Sequence, residues 1–189
     1  MSDSADIVYR SYVPDLEVRS AAKGGDGRTV VGLAVPYNSP QRIDARLTEQ
    51  FARSAFNRQL EAAHRIPLTR EHMAHGGTLI GKTILLRDDS AGLYGEWRIS
   101  RTAVGDETLE LIKDGVLSHL SVGFRSKQDR RLQDGTIERV TAELREVSVV
   151  LEGAYGDHAA VAEVRSIEEG LTRLEEARQI FANLPILPS

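Results

Sequence analysis

The sequence contains no cysteine, which rules out disulfides, thiolate nucleophiles and cysteine-based zinc or iron–sulfur centres. It has no basic surplus either. The 24 lysines and arginines are outnumbered by 28 acids, for a formal net charge of -4, and the two signs are mixed along the chain. No basic stripe of the kind that neutralises phosphates is visible, so no direct nucleic-acid partner is expected. No apolar run approaches the ~18 residues of a membrane span. The opening residues Met1 to Asp6 lack the basic and apolar regions of a signal peptide. A soluble, cytoplasmic protein with no membrane partner is therefore expected. Internal repeats and low-complexity segments are also lacking.

What is present suits one ordinary globular domain: 189 residues, 41% hydrophobic and 28% charged. Apolar–polar alternation predicts strands over residues 6–20 and 29–35, with a hairpin-like break at Lys23–Gly27 between them. Leu47, Phe51, Ala55, Phe56 and Leu60 recur at helical spacing and predict an amphipathic helix from Thr48 to about Ala63. Further strands are expected at 66–71, 79–87 and 93–99, the last two joined by the turn at 88–92. A short helix at 104–114 opens on acidic residues and stops at Gly115. Two long strands, 116–127 and 136–151, follow around Gln133-Asp134-Gly135. A small apolar patch at 159–164 precedes a C-terminal helix marked by Ile167, Leu171, Leu174 and Phe181. Many strands with short helices between them predict an α+β domain built on a small, mostly antiparallel β-barrel.

Three segments carry residues capable of chemistry. In Leu117–Phe124, period two puts Leu120, Val122 and Phe124 on one face and His119, Ser121 and Gly123 on the other. Gly123 leaves the strand bare beside Ser121, as close approach of a substrate backbone or another strand requires. A solvated strand serine has the same pattern. The strand 65–71 runs into His72-Met73-Ala74-His75-Gly76-Gly77, where either histidine is a natural proton acceptor or a surface loop residue. Read as a metal pair, the two histidines fail the zincin pattern, because Met73 stands where a glutamate is needed. In Val140–Leu151, Val147, Val149 and Leu151 share one face, with Glu146 and Ser148 opposite. A carboxylate there must be exposed or paired, and histidine and arginine are both eligible partners. Parity puts Glu143 on the face away from Glu146.

Taken together, the strand ending in His72, the later Leu120-Ser121-Val122-Gly123-Phe124 and the Leu144-Arg145-Glu146-Val147-Ser148-Val149-Val150 strand resemble the prohead proteases of tailed phages. The likeness extends to Gly32–Tyr37, Glu49–Phe56, Leu60, Ile80-Gly81, Gly92–Tyr94 and Leu111–Gly115, and so covers about residues 30–165. It implies a fold like that of the herpesvirus assembly proteases. It also implies a serine endopeptidase that cleaves scaffold or major capsid protein segments inside the assembling prohead in the host cytoplasm, itself included. Phage scaffold and capsid proteins would be its partners, and it would need no cofactor. Carried over by position, Ser121 corresponds to the nucleophile, His72 to its base and Glu146 to the third member, with His119 the alternative for that third role. The expected division is a protease domain over 1–165 and a C-terminal helix and tail over 166–189, the helix being able to pair with a second copy in a homo-oligomer. The chain departs from the family in the interval to Ile80-Gly81, which is longer than usual counted from His72 and shorter counted from His75. It departs again in the loop Gly153–Ala159. A non-catalytic capsid-assembly or scaffold-like module is the competing reading.

Overall fold

Alternation of apolar and polar residues carries most of the chain into strands, and those strands join a single sheet. The computed structural model describes residues 7–12, 16–19 and 26–151. Among them are ten strands: β1 (Val8–Tyr12), β2 (Glu17–Arg19), β3 (Thr29–Pro36), β4 (Gln41–Arg42), β5 (Thr48–Phe51), β6 (Pro67–Arg70), β7 (Thr78–Asp88), β8 (Gly92–Ile99), β9 (His119–Arg131) and β10 (Ile137–Val150). Two α-helices, α1 (Asn57–Leu60) and α2 (Ala103–Lys113), are also described. The sheet runs β1-β9-β10-β6-β7-β8-β3-β2, with β5 added to β10 and β4 to β5. It curls as a half-barrel, so that β3 near one end packs back on β1 and β9 near the other. The fold is thus β-rich with few helices. Inside the curl lie Val30, Val35, Phe51, Phe56, Leu68, Leu93, Trp97, Leu120, Val122, Phe124, Leu144, Val147 and Val149, all buried.

Pairing is mostly antiparallel, as alternation and short turns predict. Two pairs depart from it: β10 runs parallel to β6 through Val147↔Leu68 and Ser148↔Thr69, and parallel to β5 through Ile137↔Glu49. The first predicted strand divides in two, β1 pairing with β9 and β2 with β3. Helix α2 forms as expected. Thr102 caps it by accepting from the Gly105 amide at 3.1 Å, and Gly115, at φ +75°, follows its end.

The helix expected from Thr48 to Ala63 is corrected. Thr48–Phe51 is strand β5, and only Asn57–Leu60 is α-helical. Two contacts override the helical spacing. The ladder with β10 takes the backbone of 49–51, and Ser54 sits at φ +66°, with its amide and hydroxyl donating to Asp88 at 3.2 and 2.9 Å. A left-handed residue cannot lie inside a right-handed helix. Phe51, Ala55 and Phe56 reach the core all the same, which shows that burial rather than helicity set their spacing. The patch at 159–164, the C-terminal helix and the boundary at 165/166 lie outside the described residues.

Glu49, 2% exposed, ties three strands. It accepts from Arg10 Nε of β1 at 2.5 Å and from Arg139 Nη2 of β10 at 2.7 Å. Removing one partner of a buried ion cluster leaves charge uncompensated. Glu49→Ala is therefore expected to lower unfolding stability in urea by about 3 kcal/mol. An unchanged urea midpoint would show that the cluster contributes nothing.

Candidate active site

The site is built on three neighbouring strands. Ser121 of β9 is in register with Ser148 of β10, and Ser148 with Thr69 of β6. All three side chains therefore stand in one row on one face of the sheet. One step along, Gly123 pairs with Glu146 and with Tyr9 of β1. The loop after β6 brings His72 over this row. The Glu71 amide donates to Val149 O at 3.1 Å, closing the β6–β10 ladder. Glu71 then takes φ +58°, a left-handed turn that reverses the chain. A single turn of 3-10 helix, Met73–His75, follows.

Gly77 closes this loop. Its amide donates to His72 O at 2.9 Å, and a Cβ there would lie 2.2 Å from Glu71 O and 2.7 Å from the His72 carbonyl carbon. No side chain fits at Gly77, and Gly76 turns the chain at φ +85°, so the two glycines after His75 shape the loop that holds the histidine.

His72 is hydrogen-bonded on both ring nitrogens. Nε2 lies 2.7 Å from Ser121 Oγ and Nδ1 lies 2.7 Å from Glu146 Oε1. A carboxylate only accepts, so the network assigns the proton to Nδ1, which donates to Glu146, and Ser121 Oγ–H donates to Nε2. Ser121 is 0% exposed, His72 8% and Glu146 7%. The Tyr9 ring packs on His72 with centroids 4.1 Å apart. Burial holds the His72 pKa below its ordinary value; the Glu146 carboxylate pulls it back in part, and His75 adds to the lowering. The imidazole is thus neutral at neutral pH, as a proton acceptor must be.

Several expectations are refined. Ser121 does not face solvent, because both faces of β9 are buried from His119 to Phe124. The bare surface at Gly123 receives Tyr9 and Glu146: a Cβ there would meet Glu146 Cγ at 2.8 Å and Tyr9 Cε1 at 2.9 Å. His119 is buried, and its Nδ1 lies 3.0 Å from Ser118 Oγ, two pairs along the ladder from Ser121 and outside the Ser121–His72–Glu146 chain. His75 meets His72 edge to face at 5.9 Å between centroids. With both His72 nitrogens committed, the two histidines do not make a metal pair.

Glu143 is a correction. An irregularity in the ladder between Leu144 and Glu146 inserts one residue, and such a bulge resets parity. Opposite Arg125, Glu143 shares the face of Glu146, but Arg145 at 2.6 Å and Lys127 at 3.3 Å hold it. Ser148, placed beside Glu146 by parity, is given no role by the sequence reading, and Thr69 and Tyr9 are not singled out by it. Thr69 and Tyr9 reach the site only through the β6–β10 and β1–β9 pairings, which leave no local signal.

Gly77→Ala should destabilise the chain and displace His72, since the nearest atoms to the new methyl are backbone. Urea unfolding and the His72 ring resonances check this, and a variant matching wild type in both would refute the packing argument.

Comparisons with known proteins bear on the fold and on the family. A solved structure, the capsid assembly protease of bacteriophage T4, superposes with a TM-score of 0.53 at 8% identity, covering 78% of this chain and 98% of that one. At that identity the likeness is one of fold. None of the curated proteins matches the sequence significantly. The family model described as caudovirus prohead serine protease matches residues 14–173, most of the chain and all of β2 to β10. The chain therefore belongs to the caudovirus prohead serine protease family.

Proposed function

We propose that the chain is a serine endopeptidase in which Ser121 is the nucleophile, His72 its base and Glu146 the carboxylate that orients and charge-balances His72. The observation that carries this is the unbroken chain Ser121 Oγ to His72 Nε2 to Glu146 Oε1, each link 2.7 Å. In the reaction Nε2 takes the Oγ proton as Oγ attacks a peptide carbonyl. The imidazolium is held by Glu146 and then gives that proton to the leaving amine. Water, deprotonated by the same nitrogen, hydrolyses the acyl-enzyme. No cofactor enters the scheme. Ser121 has no exposed surface and Tyr9 covers His72, so a substrate carbonyl reaches Oγ once this end of β1 moves aside. The oxyanion donors are not Gly123 and Phe124 while β1 is in place, because both lie between β1 and β10 in the ladder.

Family membership supports the setting: a protease acting in the assembling prohead within the host cell, on scaffold and major capsid protein segments and on its own chain. The architecture we assign is the α+β, herpesvirus-assembly-protease-like barrel. We assign residues 1–165 to the protease domain and 166–189 to a C-terminal segment outside it.

Co-expression with the phage's own scaffold and capsid proteins, followed by mass spectrometry of the termini, is the test. Ser121→Ala and His72→Ala should each lower cleavage on the order of 10⁶-fold, since members of one proton-transfer unit fail together. Glu146→Gln should be strongly impaired, while Glu143→Gln, His75→Ala and His119→Ala stay near wild type. Undiminished cleavage by Ser121→Ala would sink the assignment of Ser121, and no cleavage by the wild-type chain would favour the non-catalytic assembly module. The pH profile gives an independent check. Only neutral His72 accepts a proton, so the rate should rise with pH through a midpoint below about 6.5 and level off above it. Glu146→Gln removes an anion that raises the His72 pKa, so the residual activity should show that midpoint at still lower pH.

A further inference from the structure

Ser148 and Thr69 have no part in the scheme above, yet both are fully buried and their hydroxyls lead away from the catalytic ring in an unbroken line. Ser148 Oγ lies 3.0 Å from His72 Nδ1, Thr69 Oγ1 lies 2.7 Å from Ser148 Oγ, and Thr69 Oγ1 reaches Val147 O at 3.4 Å. The direction of the line follows from its far end. A carbonyl only accepts, so the Thr69 hydroxyl donates to Val147 O. Thr69 Oγ1 then accepts the single proton of Ser148, which leaves Ser148 Oγ with lone pairs alone to offer Nδ1. Nδ1–H thus meets two acceptors, the Glu146 carboxylate and the Ser148 hydroxyl.

We propose that Ser148 and Thr69 are positioning residues of the Ser121–His72–Glu146 unit, a hydroxyl relay anchored on the Val147 carbonyl that fixes His72 in its Nδ1–H form and shares the charge of the imidazolium. This rests on the hydrolytic reading given above. A second acceptor at Nδ1, rigidly placed by the Ser148↔Thr69 register, holds the ring's orientation when Nε2 exchanges its proton with Ser121. Each hydroxyl also turns the negative end of its dipole toward the ring, and donors aligned in a chain polarise one another in a buried setting. The relay therefore makes proton uptake by the ring easier, against the burial that opposes it. The other groups facing His72 are Glu146 from β10, Ser121 from β9, Tyr9 from β1, and Glu71 and His75 from its own loop. None of these is altered by removing a hydroxyl from Ser148 or Thr69.

Histidine ring titration by NMR on the full chain, combined with scaffold cleavage on co-expression, tests the relay. Ser148→Ala and Thr69→Val should titrate His72 at lower pH than wild type and cleave roughly tenfold more slowly, the loss expected for about one hydrogen bond's stabilisation of the transition state. Thr69→Ser, which keeps the hydroxyl and gives up only a methyl, should match wild type in both. An unmoved His72 midpoint in Ser148→Ala, or Thr69→Ser as slow as Thr69→Val, would reduce both residues to packing and overturn the proposal. The titration is read without any cleavage, so it fails or succeeds independently of Ser121→Ala, whose continued activity would overturn the hydrolytic reading instead.

Discussion

Glu146 lies 7% exposed on a strand whose neighbouring Val147 and Val149 are wholly buried. A carboxylate so placed without a partner would cost several kcal/mol. The Nδ1–H of His72, 2.7 Å away, is the partner that makes the position tenable. The dependence is mutual, because a buried imidazole also needs an acceptor for its N–H. Once that bond commits Nδ1, the other nitrogen is left bare and aimed at Ser121. The arrangement of the site follows from this pair: the loop must deliver His72 to Glu146, and β9 must present Ser121 on the far side of the ring.

The parallel pairing of β6 with β10 makes the delivery possible. Had β6 run antiparallel over the same residues, it would have ended beside Val147 with the chain heading toward the Ile137 end of β10. Running parallel, β6 ends beside Val149, and a reversal of one residue at Glu71 drops His72 back over the Glu146–Ser148 segment. The left-handed Glu71 and the close approach at Gly77 are the local strain accepted in return. Strain of this kind persists where surrounding structure over-determines it, and here the Glu71 amide to Val149 O and the Leu151 amide to Glu71 Oε1 do so.

Much of this was legible in the sequence because it is written in periods of two. Alternation around Ser121 and Glu146 gave their strands and relative facing, and the glycines after His75 marked a tight loop. The helical spacing through Phe51, Ala55 and Phe56 misled, because three buried residues satisfy a helical stripe as readily as a strand joined to a turn. The ladder to β10 and the Ser54–Asp88 contact decide between them, and both are long-range. The parity argument at Glu143 failed for a similar reason. A single inserted residue in β10 is invisible in the sequence and reverses every facing on one side of it. Tyr9 belongs to the same class, since its place beside His72 comes from an edge pairing that its own segment does not announce.

The elements of the site differ in how firmly they are held. Ser121, Glu146, Ser148 and Thr69 stand on β9, β10 and β6, each of which has a strand on both sides. Tyr9, which packs on His72, stands on β1, five residues long and paired among the described residues with β9, with Arg10 of the same strand in an ion pair to Glu49. Local opening free energies are lowest where few backbone bonds must break together. Lifting β1 forfeits one short ladder and leaves the β9–β10–β6 registers intact, whereas moving Ser121, Glu146, Ser148 or Thr69 out of place would require breaking a ladder on each flank of its strand. Ser121, Glu146, Ser148 and Thr69 are therefore on strands held from both sides, and the Tyr9 cover is on a short edge strand.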